Sequence, residues 1–151
     1  PENHPVLKSE RFAAAEAEVK RFLAGTAPEK LYTKDWTSHE WLHFIRTLPE
    51  NLNREKMQQL DTAFGFTRSG NSELLFAWLM HVVKQEYQPG YAALEQFLVH
   101  TGRRKFLTPL YAELLKSENG KARAKVIYKL ARPNYHAVSV STLDDLFKEN
   151  S

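Results

Sequence analysis

The chain has 151 residues, of which 42% are hydrophobic and 26% charged, with a net charge of +3 and no cysteine. A globular chain of this length buries about 70% of its unfolded surface and needs no disulfide or metal to hold a core. The missing cysteine excludes disulfide frameworks, thiolate zinc sites and cysteine nucleophiles. No apolar run approaches the ~20 residues of a membrane span and no signal peptide is visible. The chain opens at Pro1 rather than Met, so it is expected to be a processed product or part of something longer. The expected compartment is the cytoplasm, with periplasm and secretion left open.

Apolar spacing is helical nearly throughout, which predicts an all-α domain spanning 1–151 with about eight helices in stacked antiparallel pairs. Ser9 reads as the first N-cap, with Phe12, Ala15, Val19 and Phe22 following and Gly25 as the stop. A connector through Pro28 leads to a helix from Ser38 to Leu48. A third helix runs from Asn53 to Phe64, with Gly65 after it. Asn71 or Ser72 caps a fourth, lined by Leu74, Leu75, Trp78, Leu79, Val82 and Val83. Pro89 and Gly90 open a fifth. Thr108 reads as the N-cap of a sixth, with Pro109 at the first helical position. The seventh, Gly120 to Leu130, is expected to bury Ala122, Val126, Ile127 and Leu130. Pro133 breaks it, Tyr135 to Val140 is expected to be extended, and Ser141 with Asp144 starts the last helix.

Charge is uneven. Residues 101–132 hold nine Lys/Arg against Glu113 and Glu118, so this segment carries +7 and the rest of the chain −4. Within it, Lys121, Lys125, Lys129 and Arg132 form a stripe along the seventh helix, and Arg103, Arg104 and Lys105 cluster after Gly102. Either group suits an anionic ligand or a solvated face.

His39-Glu40-Trp41-Leu42-His43 fits H-E-x-x-H, in which two imidazoles one turn apart hold zinc and the Glu is a general base. Thr37 and Glu40 also form a T-x-x-E capping box, which turns Glu40 back to the helix start. A third ligand nineteen residues after the second His would fall on Thr62, with Asp61 one place off register. The match is therefore read as accidental. His81 and His100 read as core-edge residues, and Trp36, Trp41 and Trp78 as core anchors.

Two stretches carry a resemblance. Asn71-Ser72-Glu73-Leu74-Leu75-Phe76-Ala77-Trp78-Leu79 resembles N-S-E-x-x-F-x-W-L. Gly102-Arg103-Arg104-Lys105-Phe106-Leu107-Thr108-Pro109-Leu110-Tyr111 resembles G-R-x-K-F-x-x-P-L-[YF]. In this order they are similar to the C-terminal domain of the leukotriene A(4) hydrolase and aminopeptidase B branch of zinc aminopeptidases (gluzincin metallopeptidases), with weaker similarity from about Ser9 to Phe147. One departure is His136-Ala137, where the family often has His-Pro.

The resemblance implies an armadillo-like α-α superhelix that walls one side of a peptide cleft. Its partners would be the catalytic domain of the same polypeptide, which holds the zinc, and peptide substrates. The helical domain itself would bind no cofactor, contain no catalytic residue and be inactive alone. Arg103 and Lys105 would hold the substrate's carboxylate, and Arg104 occupies the variable position. No membrane partner is expected. Two other readings stand beside this one: a stand-alone helical scaffold binding a protein or nucleic acid through 101–132, and a small zinc hydrolase using His39, Glu40 and His43.

Overall fold

Capping chemistry sets many of the helix boundaries. A computed structural model describes residues 8–151, and among them it holds eight α-helices and no strand. The chain divides into two compact units, one ending at Trp78 and the other beginning at Leu79. No helix among the described residues is long and apolar enough to cross a membrane.

In the first unit, α1 (Lys8–Leu23) packs on α2 (Ser38–Thr47), followed by α3 (Arg54–Phe64) and the start of α4 (Ser72–Gln85). Ser9 lies inside α1 rather than at its cap. Thr37 and Glu40 close the predicted capping box at α2, and Asn53 caps α3 by accepting from the Lys56 N–H at 2.8 Å. Gly65 ends α3 in the left-handed region at φ 65°, where a side chain would be strained. Asn71 is the cap of α4, its Oδ1 accepting from the Glu73 and Leu74 N–H groups.

Half-buried Trp36 and Trp41 begin a chain of rings that continues through Phe64 and Phe66 to the fully buried Trp78. The Trp78 indole N–H donates to Thr67 Oγ1 at 2.9 Å, and Thr67 donates to Asp61 Oδ2 at 2.6 Å. Asp61 is thereby committed to the turn after α3. Glu18, 5% exposed, accepts from the Tyr32 N–H and from Arg21, which fastens the α1–α2 connection.

The second unit holds the end of α4, then α5 (Tyr91–His100), α6 (Arg104–Leu114), α7 (Glu118–Ala131) and α8 (Ala137–Glu149). Here α5 packs on α7 and α6 on α8, so each helix meets the next but one, as stacked helix pairs require; α6 also packs on α7.

Three expectations fail here. The sixth helix starts at Arg104, not Thr108, and Pro109 lies inside it. Phe106, Leu107, Leu110, Tyr111 and Leu114 make one continuous buried face, and its burial outweighs the hydrogen bond that proline removes. The seventh helix starts at Glu118, capped by Ser117, and buries Ala124, Ile127, Tyr128 and Ala131. Val126 and Leu130, expected inside, are 61% and 57% exposed, because only one of the two apolar faces of α7 meets a neighbour within the unit. The last helix starts at Ala137 rather than Ser141, so Val138 to Val140 are helical and not extended. Asp144 does not cap it, since its carboxylate is taken by Tyr128 and Arg132.

Gly120 marks the α6–α7 corner. A Cβ there would sit 2.0 Å from the Leu114 carbonyl oxygen.

Two polar clusters tie the second unit together. Tyr135 donates to the Leu98 carbonyl, near the end of α5, where helix carbonyls lack intrahelical partners. That donation uses its only proton, so in the 3.0 Å contact between the hydroxyls Tyr111 donates and Tyr135 accepts. Burial pushes both phenols up, and Tyr111 well above the usual range. The second cluster joins α7 to α8: Arg132 grips Asp144 at 2.7 and 3.1 Å and Tyr128 donates to it at 2.6 Å.

Tyr135→Phe strands the Leu98 carbonyl and is expected to cost about 1–3 kcal/mol in denaturant unfolding. Adding Tyr111→Phe should cost less than that single change again, because the two hydroxyls act as one network. The bonds from Arg132 and Tyr128 hold the Asp144 carboxyl down from 3.8 to about 2. A depressed carboxyl stabilises the fold above its unfolded pKa and loses that effect as pH falls through its folded one. The stability advantage of the native chain over Asp144→Asn should therefore be nearly full above about pH 4 and gone only below about pH 2, as read from unfolding midpoints across that range.

Candidate functional site

The basic run lies at the start of α6. Arg103 is the N-cap, extended at φ −82° and ψ 121°, and its carbonyl accepts from the Phe106 and Leu107 N–H groups. Its side chain makes no cap hydrogen bond, and the first turn holds no acidic residue. The positive pole of the helix therefore coincides with three exposed cations, Arg103, Arg104 and Lys105. The buried stripe that begins at Phe106 explains why the helix opens this early and draws the basic residues into its first turn.

The cations take different directions. The Arg103 guanidinium lies 5.6 Å from the Phe106 ring centre and the Lys105 ammonium 4.8 Å from it. Arg104 instead reaches Thr142 Oγ1 on α8 at 3.5 Å. Phe106 is only 3% exposed and packs on Phe97 at 5.6 Å between ring centres. An Arg and a Lys beside a helix N-terminus suit an oxyanion, which the guanidinium can hold by two parallel hydrogen bonds.

The rest of the basic segment is tied into its own surroundings. Arg132 is bound to Asp144, Lys121 lies 3.5 Å from Glu118 and Lys116 lies 3.1 Å from Glu113. Arg123 covers the Tyr91 ring at 4.0 Å. Of the four-residue stripe, Lys125 and Lys129 remain exposed on α7.

The H-E-x-x-H residues are engaged otherwise. Burial pushes the Glu40 carboxyl up, but the Thr37 N–H and hydroxyl, helped by Arg11, outweigh it and hold the group below its ordinary value. His43 stacks on Phe12 at 4.2 Å, and its Nε2 lies 2.6 Å from Glu16. His39 is exposed. Among the described residues no three His, Cys, Asp or Glu are grouped so as to hold a metal. His81 is buried and His100 exposed.

Sequence reasoning placed Arg103 and Lys105 but gave no part to Phe106, which brings them to one ring. The available signal was the aromatic directly after the second cation.

A family profile described as leukotriene A4 hydrolase, C-terminal, matches residues 36–147. Leucine aminopeptidase 2 of Neurospora crassa is 28% identical over 68% of this chain and 16% of its own length. Leucine aminopeptidase 2-1 of Meyerozyma guilliermondii is 26% identical over 91% of this chain and 21% of its own. Leucine aminopeptidase 2 of Phaeosphaeria nodorum is 27% identical over 75% and 18%. The chain thus spans about a fifth of the length of these relatives.

Glu40→Ala is expected to destabilise the chain by about 1 kcal/mol through loss of the capping box. Zinc should leave the unfolding midpoint where it is. A zinc-dependent rise abolished by His39→Ala would reinstate the metal reading.

Proposed function

The chain belongs to the leukotriene A4 hydrolase C-terminal family, and on that premise we propose that it is the helical C-terminal domain of a zinc aminopeptidase that walls the peptide cleft and anchors the substrate's carboxylate. The observation that carries this reading is the G-R-x-K-F motif at the start of α6, where Arg103 and Lys105 meet at the Phe106 ring beside a helix N-terminus free of acid. The catalytic domain of the same polypeptide is its partner and holds the zinc, which supplies a polarised carbonyl and an activated water. The helical domain is inactive alone.

Arg103 presents two N–H groups in the plane of the carboxylate, and Lys105 adds a point charge. Holding a short peptide at its C-terminus fixes how deep its N-terminus reaches. Binding energy far from the scissile bond then serves orientation at the reacting centre. Peptides with a free terminal carboxylate are the substrate class that this anchor favours. The stand-alone reading through 101–132 draws less support, because Arg132, Lys121 and Lys116 already have carboxylate partners within the unit.

In the full-length polypeptide, Arg103→Ala is expected to lower kcat/KM for tripeptides by about 1–3 kcal/mol of transition-state binding. The same peptides ending in an amide should lose little. Tripeptide kinetics that do not change would end the anchoring reading.

A further inference from the structure

We propose that the outward face of α7 is a docking surface for an acidic amphipathic helix belonging to the rest of the same polypeptide. The inference rests on the part of the reading above that makes this chain one domain of a longer polypeptide, and not on the carboxylate anchor.

Residues four apart line up along a helix, so α7 carries parallel rows of side chains. Its inner rows bury Ala124, Ile127, Tyr128 and Ala131 and seat it on α5 and α6. The outward side holds two further rows next to each other. One is apolar: Ala122, Val126 and Leu130 are all exposed, the last two by 61% and 57%. The other is basic, made of Lys121, Lys125 and Lys129. Lys121 reaches Glu118, whereas Lys125 and Lys129 are exposed and have no carboxylate partner among the described residues. From Asn119 to Leu143 the sequence holds no Asp or Glu, so nothing on this stretch neutralises them. Arg123, at the other edge of the apolar row, covers the Tyr91 ring.

The two outward rows define what fits them. The occupant needs an apolar row to take Val126 and Leu130 out of water and an acidic row beside it to meet Lys125 and Lys129. A helix presents both by the same four-residue spacing. The size and sign of the face select its source. Persistent interfaces between separate chains bury about 800 Å² on each side, over roughly 20–30 residues. An Ala, a Val, a Leu and two Lys fall far short of that. A helix of the same polypeptide needs less, because tethering raises its effective concentration. A second copy would set lysines against lysines when the helices pair antiparallel, and against Arg123 when they pair parallel. An anionic bilayer is matched less well, since this face offers it no Trp or Phe.

The test uses the full-length polypeptide carrying Val126→Cys, read by mass spectrometry on the peptide that holds it, since residues 1–151 have no cysteine of their own. Its thiol labelling rate is compared with that of the same cysteine in denaturant. Slowing by about tenfold or more is expected for a docked face, and less than that overturns the proposal. Lys125→Glu with Lys129→Glu should then bring labelling back to within about twofold of the denatured rate. Protection that survives this reversal means that the basic row holds nothing, and the acidic occupant fails. Carbodiimide coupling of the native polypeptide, half of it isotope-labelled, identifies the occupant. Amide links from Lys125 or Lys129 to an Asp or Glu outside 1–151 in the same copy support the proposal. Links between light and heavy copies, links to a carboxylate within 1–151, or protection that arises only with phosphatidylserine vesicles overturn it. None of these readouts involves Arg103, so the tripeptide kinetics above can fail while the docking face stands, and the reverse.

Discussion

The second unit depends on one buried hydrogen-bond chain, from the Tyr111 hydroxyl to Tyr135 and on to the Leu98 carbonyl. It links α6, the segment before α8 and the end of α5, so the three elements around the basic loop are fixed by groups that have no access to water. Within such an interior a polar group is either fully satisfied or costly. Leu98 lies only five residues before Arg103 in sequence. The same bond that completes the end of α5 therefore holds the point from which the basic run departs.

Around that chain, the unit separates its charged work from its apolar work. Lys116, Lys121 and Arg132 have local carboxylate partners and Arg123 an aromatic one, Lys125 and Lys129 stay exposed, and Arg103 lies near the Phe106 ring. A carboxylate partner cancels charge, and a ring directs it while leaving it in place.

Local chemistry was the part of this fold most legible in the amino-acid sequence. Thr37 with Glu40, Asn53, Gly65 and Asn71 each act over three or four residues, and each boundary lies where its chemistry puts it. The failures came where a local signal met a longer-range one. Thr108-Pro109 is a sound helix start in isolation, but the stripe from Phe106 to Leu114 carries the helix through it. Two apolar faces of α7 were equally eligible, and only packing against α5 and α6 selects Ile127 and Tyr128 over Val126 and Leu130. Asp144 offered itself as a cap, and the cross-helix pull of Arg132 and Tyr128 took it instead. At the candidate site, the motif singled out Arg103 and Lys105, and only the structure shows that each lies near the Phe106 ring.

Gly120 has a consequence for how this domain can diverge. With the Leu114 carbonyl oxygen only 2.0 Å from where a Cβ would stand, the α6–α7 corner leaves no room for a side chain at position 120. Most loops absorb an inserted residue by bulging outward, at a small entropic cost. This corner cannot absorb one without unseating α7 from α6. Any residue larger than glycine at position 120 must shift α7 against α6 before the corner can close.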